Sequence, residues 1–212
     1  MIDMELIDSP VLHEVEQRSE EWFSLRMGKM TGSNFPMLMP SSRQKDEDLN
    51  ETQFKYLLEK ACELLTGDRK ESFSNSSMQW GTDHEDEALE YYELETLRIV
   101  NQVGFYEIDK FIGDSPDGIT DDRAIEIKCP NSTTHLTYLL DPSKLVKAYN
   151  WQCYAHMWAT GLNKCDLISY DPRFPEGKKI VIVTIEKDSE SMDALKKRIY
   201  SLVDIIKGYI NA

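Results

Sequence analysis

Between Gly104 and Lys128 the chain gives up helical spacing for short runs of alternating character. This change of period restricts the fold more than any other feature of the 212-residue sequence. Gly104 to Ile108, Phe111 to Gly113 and Ala124 to Lys128 read as strands, because a period of two sends successive side chains to opposite faces. Ser115-Pro116-Asp117-Gly118 and Asp121-Asp122 break them as turns. On either side the spacing is three and four. Ser19 to Met27 reads as a short helix anchored by Trp22, Phe23 and Leu25 and ended by Gly28, and Thr31 to Asn34 offers the hydroxyls of a new helix start.

A longer helix runs from Thr52 through Phe54, Leu57, Leu58, Ala61, Cys62 and Leu65 to a cap at Gly67. Residues 40–50 and 68–77 read as polar surface loops. The next helix spans about Gly81 to Leu97, with Glu85 one turn before the apolar Leu89. After the central strands, helical periodicity covers Thr133 to Leu140 and Leu145 to Thr160. Strands follow at Cys165 to Tyr170 and Lys179 to Glu186, and an amphipathic helix closes the chain from Asp188 to Ile210. This order predicts an α/β fold: a mixed central β-sheet flanked by helices. No Gly-, Ser- or Pro-rich linker divides it, so residues 1–212 read as a single domain.

The chemistry gathers in the central strands. Ile125 and Ile127 face the core, which turns Glu126 and Lys128 together to the other side. Asp117, just before a hairpin turn, brings a second carboxylate beside Glu126. Two carboxylates attract a hard divalent cation, for which Mg²⁺ is the natural candidate. An adjacent ammonium can orient or deprotonate a water, or stabilise growing phosphate charge. Those are the parts of a phosphodiester hydrolase. Spacing alone also fits a plain turn at Asp117-Gly118 with a solvated face at Glu126 and Lys128. His84, His135 and His156 have no metal-ligand spacing and read as surface or packing residues. Asp114 reads as part of the turn.

The formal net charge is −14, the wrong sign for a protein that coats nucleic acid. An acidic average still leaves room for a narrow basic channel. Cys62, Cys129, Cys153 and Cys165 form no C-x-x-C pair and read as reduced, mostly buried thiols. Met1 to Pro10 lacks a signal-peptide run, and no stretch approaches the roughly 20 apolar residues of a membrane span. A cytoplasmic chain is expected.

Ser115-Pro116-Asp117-Gly118 followed by Ile125-Glu126-Ile127-Lys128-Cys129-Pro130 resembles the active-site core of the phage lambda exonuclease family, within the PD-(D/E)XK nuclease superfamily. The similarity continues in order along roughly residues 17–190. It includes Trp22 to Gly28 with Thr31-Gly32-Ser33, then Trp80-Gly81 with Glu85, Trp151-Gln152 through Met157-Trp158, and Tyr170-Asp171-Pro172-Arg173. One departure is Tyr154, where the family places a second glutamine.

The resemblance implies that Asp117 and Glu126 ligate Mg²⁺ (Mn²⁺ substituting) with the carbonyl of Ile127, and that Glu85 assists directly or through water. Lys128 completes the catalytic set. It also implies that Arg26, Ser33 and Ser115 bind a terminal 5′-phosphate, a task suited to a guanidinium. Gln152 would contact DNA, and Met78 would wedge into the duplex end. Glu85 also reads as a solvated helix carboxylate, Arg26 as a surface cation and Met78 as a core residue. The implied activity is 5′→3′ degradation of one strand of linear duplex DNA, leaving a 3′ overhang for recombination. The implied assembly is a ring-shaped homotrimer working with a single-strand annealing protein. An endonuclease with the same metal core and a non-catalytic DNA-end-binding module are the rival readings.

Overall fold

The computed structural model describes residues 9–40, 49–69 and 76–212, apart from the side chains of residues 77 and 78. Its elements run β1 (Val11–His13), α1 (Glu20–Arg26), β2 (Met30–Thr31), a 3₁₀ turn (Gly32–Asn34) and α2 (Phe35–Leu38). Then come α3 (Glu51–Thr66), α4 (Ser76–Thr96), β3 (Phe105–Asp109), β4 (Ile112–Asp114), β5 (Gly118–Ile119) and β6 (Ala124–Lys128). The chain ends with α5 (Ser132–Leu140), α6 (Pro142–Thr160), β7 (Lys164–Tyr170), β8 (Ile180–Glu186) and α7 (Ser189–Ile210).

The expected α/β fold is present, with its strands divided between two mixed sheets ordered β1-β3-β4-β2 and β5-β6-β7-β8. Among the described residues only β2–β4 and β6–β7 pair in parallel. A parallel neighbour demands a long crossover, and α5 and α6 supply it between β6 and β7. The three strands that periodicity does not announce, β1, β2 and β5, have two or three residues each, too few to show a period.

Side-chain oxygens fix the helix starts. Ser19 accepts from the Trp22 amide at the head of α1. Asn50 and Gln53 form a reciprocal capping box on α3, two residues ahead of the start expected at Thr52. Gly67 closes α3 in the left-handed conformation, φ 71°. α4 begins at Ser76, so the end of the loop expected over 68–77 is helical; the loop expected over 40–50 falls mostly outside the described residues.

Strand β6 is covered on both sides. Ile125 and Ile127 pack with Ile168 and Tyr170 against Ala88 and Tyr92 of α4. Ala124 faces the other way, into the larger core shared by α3, α6 and α7. Glu126 does turn to the side opposite Ile125 and Ile127, and the alternative of a solvated face does not hold for it. Its side chain is only 1% exposed and lies toward α6, so it needs charge compensation. No described helix is long and apolar enough to cross a membrane.

Asp166 on β7 is buried and accepts hydrogen bonds from Arg123 at 3.0 and 3.1 Å, from the Tyr92 hydroxyl at 2.7 Å and from Thr184 Oγ1 at 2.6 Å. This network ties α4 to the second sheet. Asp166→Ala should lower stability by about 3 kcal/mol, the loss typical when one partner of a buried ion pair is removed. Urea unfolding with an unchanged m-value checks it, and a loss under about 0.5 kcal/mol, the usual surface-substitution range, would contradict it.

Candidate active site

The hairpin between β5 and β6 sets the site. The Asp117 amide donates to the Ile125 carbonyl at 3.1 Å, and its Oδ2 accepts from the Ile127 amide at 2.6 Å. The carboxylate therefore lies against the backbone beside Glu126. On the α6 side, Glu126 Oε1 forms an ion pair with Lys128 and Oε2 meets His156 Nε2 at 2.6 Å. Lys128 Nζ also lies 4.9 Å from the centre of the Tyr149 ring. Tyr149, Gln152 and His156 are spaced by three and four, so α6 turns them to the same side.

Glu85, reaching over from α4, is half-buried and is held by Arg18. Arg18 has φ 70°, the left-handed region that a non-glycine residue seldom takes. Among the described residues, no three or more His, Cys, Asp or Glu side chains form a ready-made metal cage. Each acid is tied to a donor or cation of the protein instead.

The electrostatics still fit a divalent cation. Burial pushes the Asp117 carboxyl well above its ordinary pKa, and repulsion from Glu126 and Glu85 pushes it further. Glu85 is also raised, by burial first, with Arg18 opposing. Burial would raise Glu126 too, but Lys128 and His156 outweigh it and hold the pKa below the usual carboxylate value. Burial would lower Lys128; Glu126 and Asp117 reverse that and keep the ammonium charged. Mutual repulsion among hard oxygen donors at one strand end is what a bound Mg²⁺-like ion relieves. Asp117, Glu126, the Ile127 carbonyl and Glu85 are the groups that could hold one.

A cleft of about 590 Å³ joins this cluster to Arg26, Ser33, Ser115 and Gln152. The Arg26 guanidinium lies 3.9 Å from the centre of the buried Trp22 ring, and Nη2 donates to Thr31 Oγ1 at 3.3 Å. Burial lowers its pKa to about 10, opposed by Asp114 and Tyr56, so it is still a cation at neutral pH. Ser33 is exposed, with its hydroxyl 3.3 Å from that of Thr31. Ser115 is different. It accepts from Trp22 Nε1 at 2.8 Å and donates to the Gly104 carbonyl at 2.8 Å, so in this arrangement it has no proton left for a phosphate oxygen. Met78 lies on the first turns of α4, and its side chain falls outside the described residues.

Two residues stand differently from their sequence reading, and a third was not announced at all. Asp114 is not a turn residue: it ends β4, is 1% exposed and meets His156 Nδ1 at 2.6 Å. His156 is not mere packing, since it bridges two carboxylates. Arg18 stands at the site with no signal in the sequence, because nothing there announces its left-handed backbone. The spacing of Tyr149, Gln152 and His156 was such a signal for α6.

Two mixed sheets flanked by helices, with an acid and a lysine on β6 and a second acid against its backbone, define a PD-(D/E)XK-like nuclease fold. An alkaline exonuclease from Laribacter hongkongensis matches at TM-score 0.82 and 32% identity, over 91% of this chain and 95% of that one. The same enzyme in complex with dAMP matches at TM-score 0.81 with equal identity and coverage. A phage-related exonuclease from Haemophilus somnus shares the fold, at TM-score 0.73 and 17% identity, over 86% of this chain and 95% of that one. No curated protein matches the sequence. The chain belongs to the YqaJ-like viral recombinase domain family, which it matches over residues 21–163, in line with the lambda exonuclease resemblance.

The raised Asp117 carboxyl gives a stability prediction. Its proton is held more tightly folded than unfolded, so it destabilises the fold as pH rises above about 4, the unfolded value. Asp117→Asn should therefore raise Tm in EDTA at pH 7, by about 2–4 °C per kcal/mol recovered. The gain should vanish as pH falls toward 4. Mg²⁺ should raise the Tm of wild type and leave the variant unmoved. A variant less stable than wild type in EDTA at pH 7 would contradict this reading.

Proposed function

We propose that this chain is a Mg²⁺-dependent 5′→3′ exonuclease that degrades one strand of linear duplex DNA and leaves a 3′ single strand for recombination by annealing. The observation that carries the reading is one cleft holding Asp117, Glu126 and Lys128 together with Arg26. A hydrolytic centre and a cation suited to a terminal phosphate then face the same strand end. The Laribacter relative has been solved with dAMP, a deoxynucleoside monophosphate of the kind that stepwise hydrolysis from a strand end releases.

In this reading Asp117, Glu126 and the Ile127 carbonyl hold the metal, with Glu85 leaving Arg18 to assist. When bound, Mg²⁺ supplies an acidified water and neutralises charge on the scissile phosphate. Lys128 faces the same position. Because its neighbours keep it protonated, it suits orienting the water and stabilising transition-state charge better than removing a proton. Arg26, stacked on Trp22, receives the terminal 5′-phosphate with help from Ser33, and Gln152 contacts the strand from α6. Met78 is proposed as the wedge that opens the end.

The chain has 38 acidic against 24 basic residues. A ring of three single-domain copies, each turning Arg18, Arg26 and Lys128 inward, would reconcile that balance with a DNA substrate. A single-strand annealing protein is the proposed partner, and the cytoplasm of the host cell the proposed location.

The test is digestion of linear duplex labelled at either end, with and without a 5′-phosphate. Label at the 5′ end should be released first, as mononucleotide, only with divalent metal present. Cleavage of covalently closed circles at a comparable rate would overturn the exonuclease reading. Arg26→Ala should slow degradation from 5′-phosphorylated ends about ten- to a hundredfold, since a charged hydrogen bond contributes about 1.5–3 kcal/mol. Ends with a 5′-hydroxyl should be nearly unaffected, and equal slowing on both would remove Arg26 from end recognition. Lys128→Ala should depress single-turnover cleavage while binding of DNA in Ca²⁺ is retained. A variant that binds weakly but cleaves normally at saturation would make Lys128 a phosphate contact only.

A further inference from the structure

Asp114, His156 and Glu126 form a buried chain of contacts across the interior. The imidazole is fully buried. Its Nδ1 lies 2.6 Å from Asp114 Oδ2 and its Nε2 lies 2.6 Å from Glu126 Oε2. Each ring nitrogen is within hydrogen-bond distance of a carboxylate oxygen, so the ring is held from both ends. Asp114 has little freedom itself. A Cβ placed on Gly32 would come within 2.1 Å of Asp114 Oδ1 and 2.7 Å of Ala155 Cβ.

This arrangement fixes how much of each carboxylate is open. Glu126 Oε2 is held by His156, deep in the interior, and Oε1 is held on the cleft side by the ion pair with Lys128. Asp117 is treated alike, with Oδ2 taken by the Ile127 amide and Oδ1 left. A hydrogen bond that fixes one oxygen of each acid works against both oxygens closing on the same cation. Ca²⁺ takes six to eight oxygens and commonly uses bidentate carboxylates, whereas Mg²⁺ keeps several waters and needs only one or two protein oxygens.

We propose that His156, oriented by Asp114, is a positioning residue that holds Glu126 Oε2 away from a bound cation and thereby biases the site toward Mg²⁺ over Ca²⁺. The proposal rests on the metal-site reading above. It adds a role for two residues that touch neither substrate nor metal. Such outer partners typically change metal affinity by about ten- to a hundredfold when lost.

The experiment is calorimetric titration of the full chain with Mg²⁺ alone and with Ca²⁺ alone, for wild type, His156→Gln and His156→Asn. The Gln amide nitrogen reaches the place of Nε2 and preserves the hold on Glu126. The Asn amide reaches the place of Nδ1, satisfies Asp114 and releases Oε2. His156→Gln should keep the wild-type ratio of Mg²⁺ to Ca²⁺ affinity, and His156→Asn should move it toward Ca²⁺ by about tenfold. A cooperatively melting His156→Asn protein with the wild-type ratio overturns the proposal and leaves the nuclease reading intact. Should His156→Asn not fold, wild type and His156→Gln decide: both must bind Mg²⁺ at least as tightly as Ca²⁺, and a Ca²⁺ preference in either overturns it. Absence of any divalent binding by wild type removes the metal site itself and the proposal with it.

Discussion

A carboxylate with 1% exposure at the centre of a sheet, Glu126, is the constraint from which the rest of the site follows. Left alone, a charge there would cost several kcal/mol of desolvation. Two side chains compensate it, and a third acts through one of them. Lys128 comes from the same strand two residues on and His156 from the crossover helix α6, while Asp114, from the other sheet, holds His156. The compensation of one charge is thus also a link between β4, α6 and β6. It explains why α6 carries a fully buried histidine at a position where an apolar residue would satisfy the packing.

The same economy governs the acids without such support. Asp117 has a single backbone donor, and Glu85 has Arg18. Both are pushed toward protonation by burial and by their neighbours. The strand end therefore stores repulsion that an external divalent cation can relieve, and this connects packing to the proposed catalysis. Arg26 shows the complementary strategy: Trp22 supports its guanidinium, and Ser115 fixes Trp22 in turn. Within this reading Ser115 acts on the phosphate pocket as a strut, and Arg26 is the group left to meet the ligand.

Much of this was legible in the residues. Strand β6 matches the run expected from Ala124-Ile125-Glu126-Ile127-Lys128, because apolar Ile125 and Ile127 alternate with charged neighbours and Cys129-Pro130 stops the pairing. α1 and α7 were equally clear, one from Ser19 and Gly28, the other from its long apolar stripe. β1, β2 and β5 were not, since two or three residues paired across long distances carry no local pattern. The partnership of Asp114 with His156 spans 42 positions, and no spacing rule joins them. Asp114 beside Pro116 and Gly118 has the local chemistry of a turn, and only the register of β4 shows that it points inward. Arg18 was hidden for a different reason: its place at Glu85 depends on a left-handed backbone that sequence reserves for glycine.

The central claim is that the end of β6 is a divalent-metal site. The most direct measurement is an anomalous-scattering map of crystals soaked in Mn²⁺. A peak is expected about 2.0–2.2 Å from one oxygen each of Asp117 and Glu126 and from the Ile127 carbonyl, with Glu126 Oε2 still against His156. A well-ordered site with no peak there, or a peak held by other residues, would contradict it.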